Sequence, residues 1–72
     1  MTDKEFLKQL GLKMKCQRIM KELSVKEVSK KCGLNPATIL EMERGVKNFH
    51  ILNIKRISDV YGVELSQLFA FI

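Results

Sequence analysis

The sequence predicts an all-α protein, and three observations lead to that class. Apolar residues recur at spacings of three and four, the period of a helix that buries one face. Ser, Thr or Asn stands where these runs begin, and Gly stands where most of them end. No segment of four or more residues alternates like a strand with turn signals on both sides. We therefore expect five helices, no sheet, and a single domain over residues 1–72.

The first two helices begin at matching signals. Each has the capping-box spacing, in which a hydroxyl and a carboxylate bind the free amides of the first turn: Thr2 with Glu5, and Ser24 with Glu27. We predict one helix over about 2–21 and a second over 25–32. Gly33 suits the left-handed position that ends the second helix.

The first helix carries apolar residues on two sides. One face is formed by Phe6, Leu7, Leu10, Met14 and Arg18. The other side holds Leu12, Cys16, Ile19 and Leu23. We expect either broad burial of this helix or a share in a protein interface. Gly11 lies inside the run and argues against an uninterrupted helix.

The remaining helices are shorter. Asn35 followed by Pro36 is a favoured N-cap and first position, so a third helix begins there and ends at Gly45. A fourth helix begins near residues 49–51 and ends at Gly62. A short fifth helix or turn follows. We assign residues 50–72, which hold these last two helices, to packing and dimerisation.

The composition excludes several classes of protein. A chain of 72 residues buries a small core, which usually needs a disulfide, a metal or a partner subunit as support. The two cysteines and the lysine-rich start predict a reduced, cytoplasmic protein, and Cys16, Cys32 and His50 lack metal-ligand spacing. No apolar run is long enough for a membrane span. We expect no cofactor, no metal and no enzymatic activity, and a partner subunit remains as the support.

Positive charge is concentrated in the first half of the chain. Residues 1–31 hold nine Lys and Arg against four Asp and Glu, whereas residues 32–72 are balanced with four of each. The whole net charge of +5 therefore comes from the first half. Such a surface is either a solvated basic face or a face for phosphates.

Residues 24–43 have the spacing of a helix-turn-helix unit. Ser29 is small enough for two helices to cross closely, Gly33 lies in the turn, and Ile39 anchors the second helix. Any helical hairpin could show this spacing. The wider sequence adds the stretches Leu23-Ser24, Gly33-Leu34-Asn35, Thr38-Ile39, Met42-Glu43-Arg44-Gly45, Lys47-Asn48, Tyr61-Gly62-Val63-Glu64-Leu65 and Leu68-Phe69.

With these stretches, residues 10–69 resemble the lambda-repressor-like, Cro/C1-type (XRE) helix-turn-helix family, and most of all its stand-alone controller and repressor members. The resemblance implies a compact five-helix DNA-binding domain whose third helix enters the major groove. It also implies a structural salt bridge between Arg18 and Glu43. Thr38, Lys47 and Asn48 match positions that contact the DNA backbone in the family, and Lys26 is close enough to help. The full set of residues expected at the DNA backbone is Ser24, Lys26, Asn35, Thr38, Lys47 and Asn48. Asn35 is first of all a helix cap.

The third helix departs from the family at the positions that face DNA bases, which are here Pro36, Ala37, Leu40 and Glu41. Only Glu41 has a polar side chain, which could accept a hydrogen bond from cytosine, while Ala37 and Leu40 could touch a thymine methyl. The second helix departs as well, because family members usually carry Gln immediately after the Ser cap, where this sequence has Val25. Two functions stay open: a sequence-specific regulator of transcription on double-stranded DNA, or a helix-turn-helix scaffold turned to protein binding.

The chain ends in large apolar residues, which are costly to leave in water. Phe69 can pack on the core of its own chain, whereas Phe71 and Ile72 lie beyond the usual end of the fold. We expect a homodimer with Phe69, Phe71 and Ile72 in its interface, placing two recognition helices on an inverted repeat.

Overall fold

The computed structural model describes residues 1–72 and contains five helices and no strand, which confirms the predicted all-α class. The helices are α1 Asp3–Met20, α2 Val25–Cys32, α3 Pro36–Arg44, α4 Ile51–Tyr61 and α5 Leu65–Leu68.

The predicted start and stop signals lie where the sequence placed them. Thr2 and Ser24 form the capping boxes of α1 and α2, and the Asn35 side chain accepts a hydrogen bond from the Ala37 amide at the start of α3. Helices α2, α3 and α4 each end at a left-handed glycine. Local chemistry therefore accounts for nearly every helix boundary.

Helix α1 continues through Gly11, as the predicted helix over about 2–21 requires, and the role of this glycine is in packing. A Cβ atom at this position would lie 2.5 Å from the carbonyl oxygens of both Met42 and Glu43. Gly45 makes a similar approach, since a Cβ there would lie 2.5 Å from the carbonyl oxygen of Leu7, and its φ is +68°. The two glycines let α1 and the end of α3 pack backbone against backbone.

All five helices contribute to one apolar core. Helix α1 packs on α3, α2 packs on α3 and α4, and α5 covers the α1–α4 side. Nine buried apolar side chains form the core: Leu10, Met14, Val28, Ile39, Met42, Ile54, Ile57, Tyr61 and Leu68.

Most of the second apolar side of α1 lies outside the core, and only Leu23 at its end packs against the core. Leu12 is 52% exposed, Ile19 is 56% exposed, and Cys16 is exposed as well. Broad burial of α1 is therefore wrong, because α3, α4 and α5 all pack on its other face. Cys16 is not the small core residue that cysteines commonly are, whereas Cys32 is half-buried against the core.

None of the five helices is both long and apolar enough to cross a membrane. No three His, Cys, Asp or Glu side chains lie close enough together to hold a metal ion.

Candidate nucleic-acid interface

The start of α2 presents free hydrogen-bond donors to solvent. The Ser24 hydroxyl oxygen accepts a hydrogen bond from the Glu27 amide at 3.1 Å, and the Glu27 carboxylate accepts one from the Ser24 amide at 3.0 Å. The amides of Val25 and Lys26 have no partner within the chain. The Ser24 hydroxyl proton is also free, so this helix end can donate to an anion. Hydrogen bonds from Ser24 lower the pKa of Glu27, which keeps a negative charge beside these donors.

The turn between α2 and α3 is held by a serine. The Ser29 hydroxyl donates to the Leu34 carbonyl oxygen at 2.6 Å, and the Gly33 amide donates to the Ser29 carbonyl oxygen at 2.9 Å. A small residue was predicted at Ser29 for helix crossing. The hydrogen bond adds a second function, because it fixes the angle at which α3 leaves the turn.

The two sides of α3 differ in environment. Ile39 and Met42 are fully buried, while Pro36, Ala37 and Leu40 are exposed and Glu41 is half-buried. These last four are the residues predicted to face DNA bases, and they lie together on one side of α3. The exposed part of this side offers almost no hydrogen-bonding side chain.

A buried ion pair clamps α3 to α1. Two guanidinium nitrogens of Arg18 bind the two carboxylate oxygens of Glu43, at 2.7 and 3.1 Å. The third, Nη1, donates to the Leu23 carbonyl oxygen at 3.0 Å, across the turn that follows α1. The hydrogen bonds to Glu43 raise the pKa of Arg18 further above its ordinary value. This geometry fixes α3, α1 and the start of α2 relative to one another.

Tyr61 lies in the same region of the core. It is 2% exposed, and its hydroxyl has no hydrogen-bond partner within the chain. Burial, and then the nearby Glu43 carboxylate, raise the pKa of Tyr61, so the phenol stays neutral. Because the Tyr61 phenol is uncharged, the Arg18–Glu43 pair supplies the charges on this side of the core.

Two residues predicted to contact DNA form an ion pair with each other. The Lys47 ammonium lies 2.7 Å from the Glu41 carboxylate, and this contact raises the pKa of Lys47. Both side chains remain accessible to solvent. The carboxylate on the base-facing side of α3 is thus neutralised by a lysine from the loop after α3.

A small polar cleft of about 170 Å³ lies between α3 and the start of α4. It brings together Thr38, Lys47 and Asn48, which were predicted separately as backbone contacts. His50 and Asn53 line it as well and were missed, although His50, as the residue before α4, was already expected near a helix start. Ser24 and Lys26 do not line this cleft. The predicted contacts therefore form two groups, one at the start of α2 and one beside α3.

The C-terminal aromatic residues pack on their own chain. The ring of Phe6 lies 6.1 Å from that of Phe69 and 5.3 Å from that of Phe71, measured between ring centroids. Both rings are half-buried, whereas Ile72 is 81% exposed. Phe71, which was expected beyond the usual end of the fold and in a dimer interface, packs on Phe6 of its own chain. The reason is that the turn after α5 directs the chain back over α1.

Comparison with known proteins places this geometry in a family. The HTH_3 helix-turn-helix family matches residues 16–68, from within α1 to the end of α5. No curated protein matches the sequence.

Several solved structures have the same fold. An HTH_3 family transcriptional regulator from Vibrio cholerae is 26% identical with a TM-score of 0.87, over 96% of this chain and 39% of that one. The restriction-modification controller protein C.AhdI from Aeromonas hydrophila is 26% identical with a TM-score of 0.83, over 86% and 94%. The DNA-binding domain of BldD is 28% identical with a TM-score of 0.81, over 94% and 97%.

The present chain thus spans about two fifths of the Vibrio cholerae regulator but nearly the full length of the other two. These matches are regulators and DNA-binding domains, not enzymes, and they confirm the resemblance found in the sequence. The chain belongs to the HTH_3 family of Cro/C1-type helix-turn-helix proteins.

Proposed function

We propose that the protein is a cytoplasmic regulator of transcription that binds double-stranded DNA as a homodimer. One observation carries the proposal: a family helix-turn-helix unit is clamped through Arg18 and Glu43 while one side of α3 is left free. A helix held by buried contacts on one side and exposed on the other is suited to insertion into the major groove. The excess of Lys and Arg over Asp and Glu in the first 31 residues supplies attraction to phosphates.

Backbone contacts dominate this proposed interface. The start of α2, with the Ser24 hydroxyl, two free amides and the Lys26 ammonium, binds one phosphate region. Thr38, Lys47 and Asn48 bind another from the cleft beside α3. Asn35 uses its carboxamide oxygen for the Ala37 amide, which leaves its NH₂ group for the backbone. Phosphate contacts position α3 without carrying sequence information.

Base contacts are correspondingly few. Ala37 and Leu40 present apolar surface suited to thymine methyl groups, and Pro36 adds only shape. The Oε2 atom of Glu41 is paired with Lys47, so Glu41 can accept a hydrogen bond from cytosine through its other carboxylate oxygen. We infer that specificity comes in good part from DNA shape and deformability.

The homodimer rests on an apolar surface at the α1–α4 side. A groove of about 440 Å³, lined mainly by apolar side chains such as Phe6, Phe49 and Phe69, opens beside the exposed side chain of Ile51. Phe71 packs on Phe6 at the same place, and Ile72 extends from it into solvent. A second copy burying Ile72, Phe69 and the outer edge of Phe71 would supply the support that a small core needs. A monomeric mass in light scattering at tens of micromolar would contradict this assembly.

A random-duplex selection at near-physiological salt tests the whole proposal. We expect enrichment of an inverted repeat with half-sites about one turn apart, the spacing that two recognition helices require. An Arg18→Met protein serves as the control for correct placement of α3, because it changes no residue proposed to touch DNA.

The alternative function is protein binding through the same scaffold. The apolar surface of Leu40 on α3, and the exposed Leu12 and Ile19 on α1, favour it. It predicts a different outcome in the same selection, namely no enriched sequence and at most weak, salt-sensitive binding.

A further inference from the structure

A second cleft, larger than the one beside α3, lies between the start of α1 and the loop after α3. Its volume is about 620 Å³, and its charged lining consists of Lys4, Lys8, Lys47 and Asp3. Three lysines and one aspartate line this cleft, and because Lys47 is paired with Glu41, Lys4 and Lys8 are its unpaired positive charges. Such a surface attracts an anion with more than one negative group.

The two lysines of α1 are free to bind. They are four residues apart and therefore share a side of the helix. The three ion pairs of the chain use Arg18, Lys47 and Lys55, so neither Lys4 nor Lys8 is neutralised. Both side chains are exposed.

The position of this cleft is set by backbone packing. A Cβ atom on Gly45 would lie 2.5 Å from the Leu7 carbonyl oxygen and 2.7 Å from the Lys8 Cα atom. The first turns of α1 and the loop after α3 therefore cannot separate without loss of this contact. Any ligand held by the loop comes within reach of Lys8.

The cleft is also continuous with the proposed DNA contacts. Lys47 and Asn48 line both this cleft and the polar cleft that contains Thr38. A DNA strand bound at Thr38 and Asn48 thus passes directly to the α1 lysines. The strand carries a phosphate at each nucleotide, which matches a row of cations better than a single small anion does.

We propose that Lys4 and Lys8 form a further phosphate-binding site for the DNA backbone, adjoining the contacts of Lys47 and Asn48. The site rests on the proposed function and extends it from the helix-turn-helix unit to the first helix. It adds affinity without base specificity, which suits a protein whose α3 has few polar side chains.

The test is the salt dependence of binding to a labelled 30-base-pair duplex of mixed sequence, since phosphate contacts need no particular site. The variant is Lys4→Gln with Lys8→Gln. Loss of two phosphate contacts makes the negative slope of log K against log salt shallower by about 1.8 per bound protomer, at about 0.9 for each contact.

Two matched variants separate a site from a general charge effect. Lys30→Gln with Lys31→Gln removes the same charge from exposed positions at the end of α2, and we expect the slope of the unchanged protein. Lys4→Arg with Lys8→Arg keeps the charge and should also keep the slope. Thermal unfolding by circular dichroism verifies that all three variants fold.

The proposal is overturned if the Lys4→Gln, Lys8→Gln variant keeps the original slope. It is also overturned if this variant and the Lys30→Gln, Lys31→Gln variant make the slope shallower by the same amount. Failure of the underlying function looks different, because the unchanged protein would then enrich no sequence in the random-duplex selection and would bind the 30-base-pair duplex at most weakly.

Discussion

The two sides of α3 differ in how closely they are packed against the rest of the molecule. On the inner side, Ile39 and Met42 are fully buried, Glu43 is bound by Arg18, and Gly11 allows backbone contact. On the outer side, Pro36, Ala37 and Leu40 contact little, and only the Glu41–Lys47 pair connects this side to a neighbouring segment.

This difference shows that placing α3 and reading DNA are separate tasks carried out by different residues. The inner side requires particular residues because a buried charge or a backbone contact tolerates few replacements. The outer side is exposed and, apart from Pro36 at the start of the helix, tolerates more replacements. A chain can therefore keep the family fold while losing the polar residues that usually contact bases.

The largest expected effect is a loss of stability when the ion pair on the inner side of α3 is removed. Arg18→Met leaves the Glu43 carboxylate buried without its partner, since the Glu43 side chain is only 5% exposed. We expect a loss of about 3 kcal/mol in the free energy of unfolding, measured by urea denaturation followed by circular dichroism. Arg18→Met with Glu43→Leu should recover most of the loss, because two apolar groups replace the pair. Equal losses in the single and double variants would show that the pair itself is not the cause.

The second effect acts on backbone packing at the same contact. Gly11→Ala places a methyl group 2.5 Å from two carbonyl oxygens, so α1 must move away from α3. We expect a net loss of about 2 kcal/mol, from an overpacking cost of up to about 3 less a gain of about 1 in helix propensity. Lys15→Ala, at an exposed position of the same helix, is the control. A Gly11→Ala protein as stable as the Lys15→Ala protein would contradict the close approach.

The third expected effect concerns DNA binding by the outer side of α3. Glu41→Gln releases Lys47 and removes a negative charge from the DNA-facing surface. We expect about threefold tighter DNA binding and a salt slope steeper by about 1, with little change in stability. Asp59→Asn, which breaks the exposed Lys55–Asp59 pair on α4, should leave DNA binding unchanged. Fluorescence anisotropy measures both, and weaker binding of Glu41→Gln would mean that the carboxylate itself contacts DNA.

The smallest effect concerns pH at the start of α2. Because hydrogen bonds from Ser24 lower the pKa of Glu27 below its ordinary 4.5 in the folded protein, this contribution to stability is complete above pH 4.5 and is lost as the pH falls through the lowered value. Glu27→Gln keeps the cap geometry but cannot titrate.

We therefore expect the melting temperature of the unchanged protein to exceed that of Glu27→Gln at pH 7, with the difference shrinking below pH 4.5. A difference that stays constant from pH 7 to pH 3 would assign it to the shape of the cap and not to its charge.

Much of the fold could be predicted from local chemistry. The capping boxes at Thr2 and Ser24, the Asn35-Pro36 start of α3 and the left-handed glycines each act over a few residues, so their meaning is visible in the sequence. Gly11 could not be interpreted in this way. Its reason lies in Met42 and Glu43, more than thirty residues away, and no local rule connects them.

The candidate site, like the fold, could be predicted from the sequence only in part. Residue types and family resemblance predicted which side chains face DNA. They did not indicate that Glu41 and Lys47 neutralise each other, or that His50 and Asn53 line the cleft with Thr38. Both outcomes depend on the path of the loop after α3, which Gly45 fixes against α1.

By itself, the sequence determined the helices, their ends, the family and the basic first half of the chain. Only the tertiary structure decided which apolar residues are covered. Leu12 and Ile19 are exposed, while Phe71 packs on Phe6. The physical reason is that helix boundaries follow from hydrogen bonds within a few residues, whereas burial depends on which distant surface the packed helices bring near.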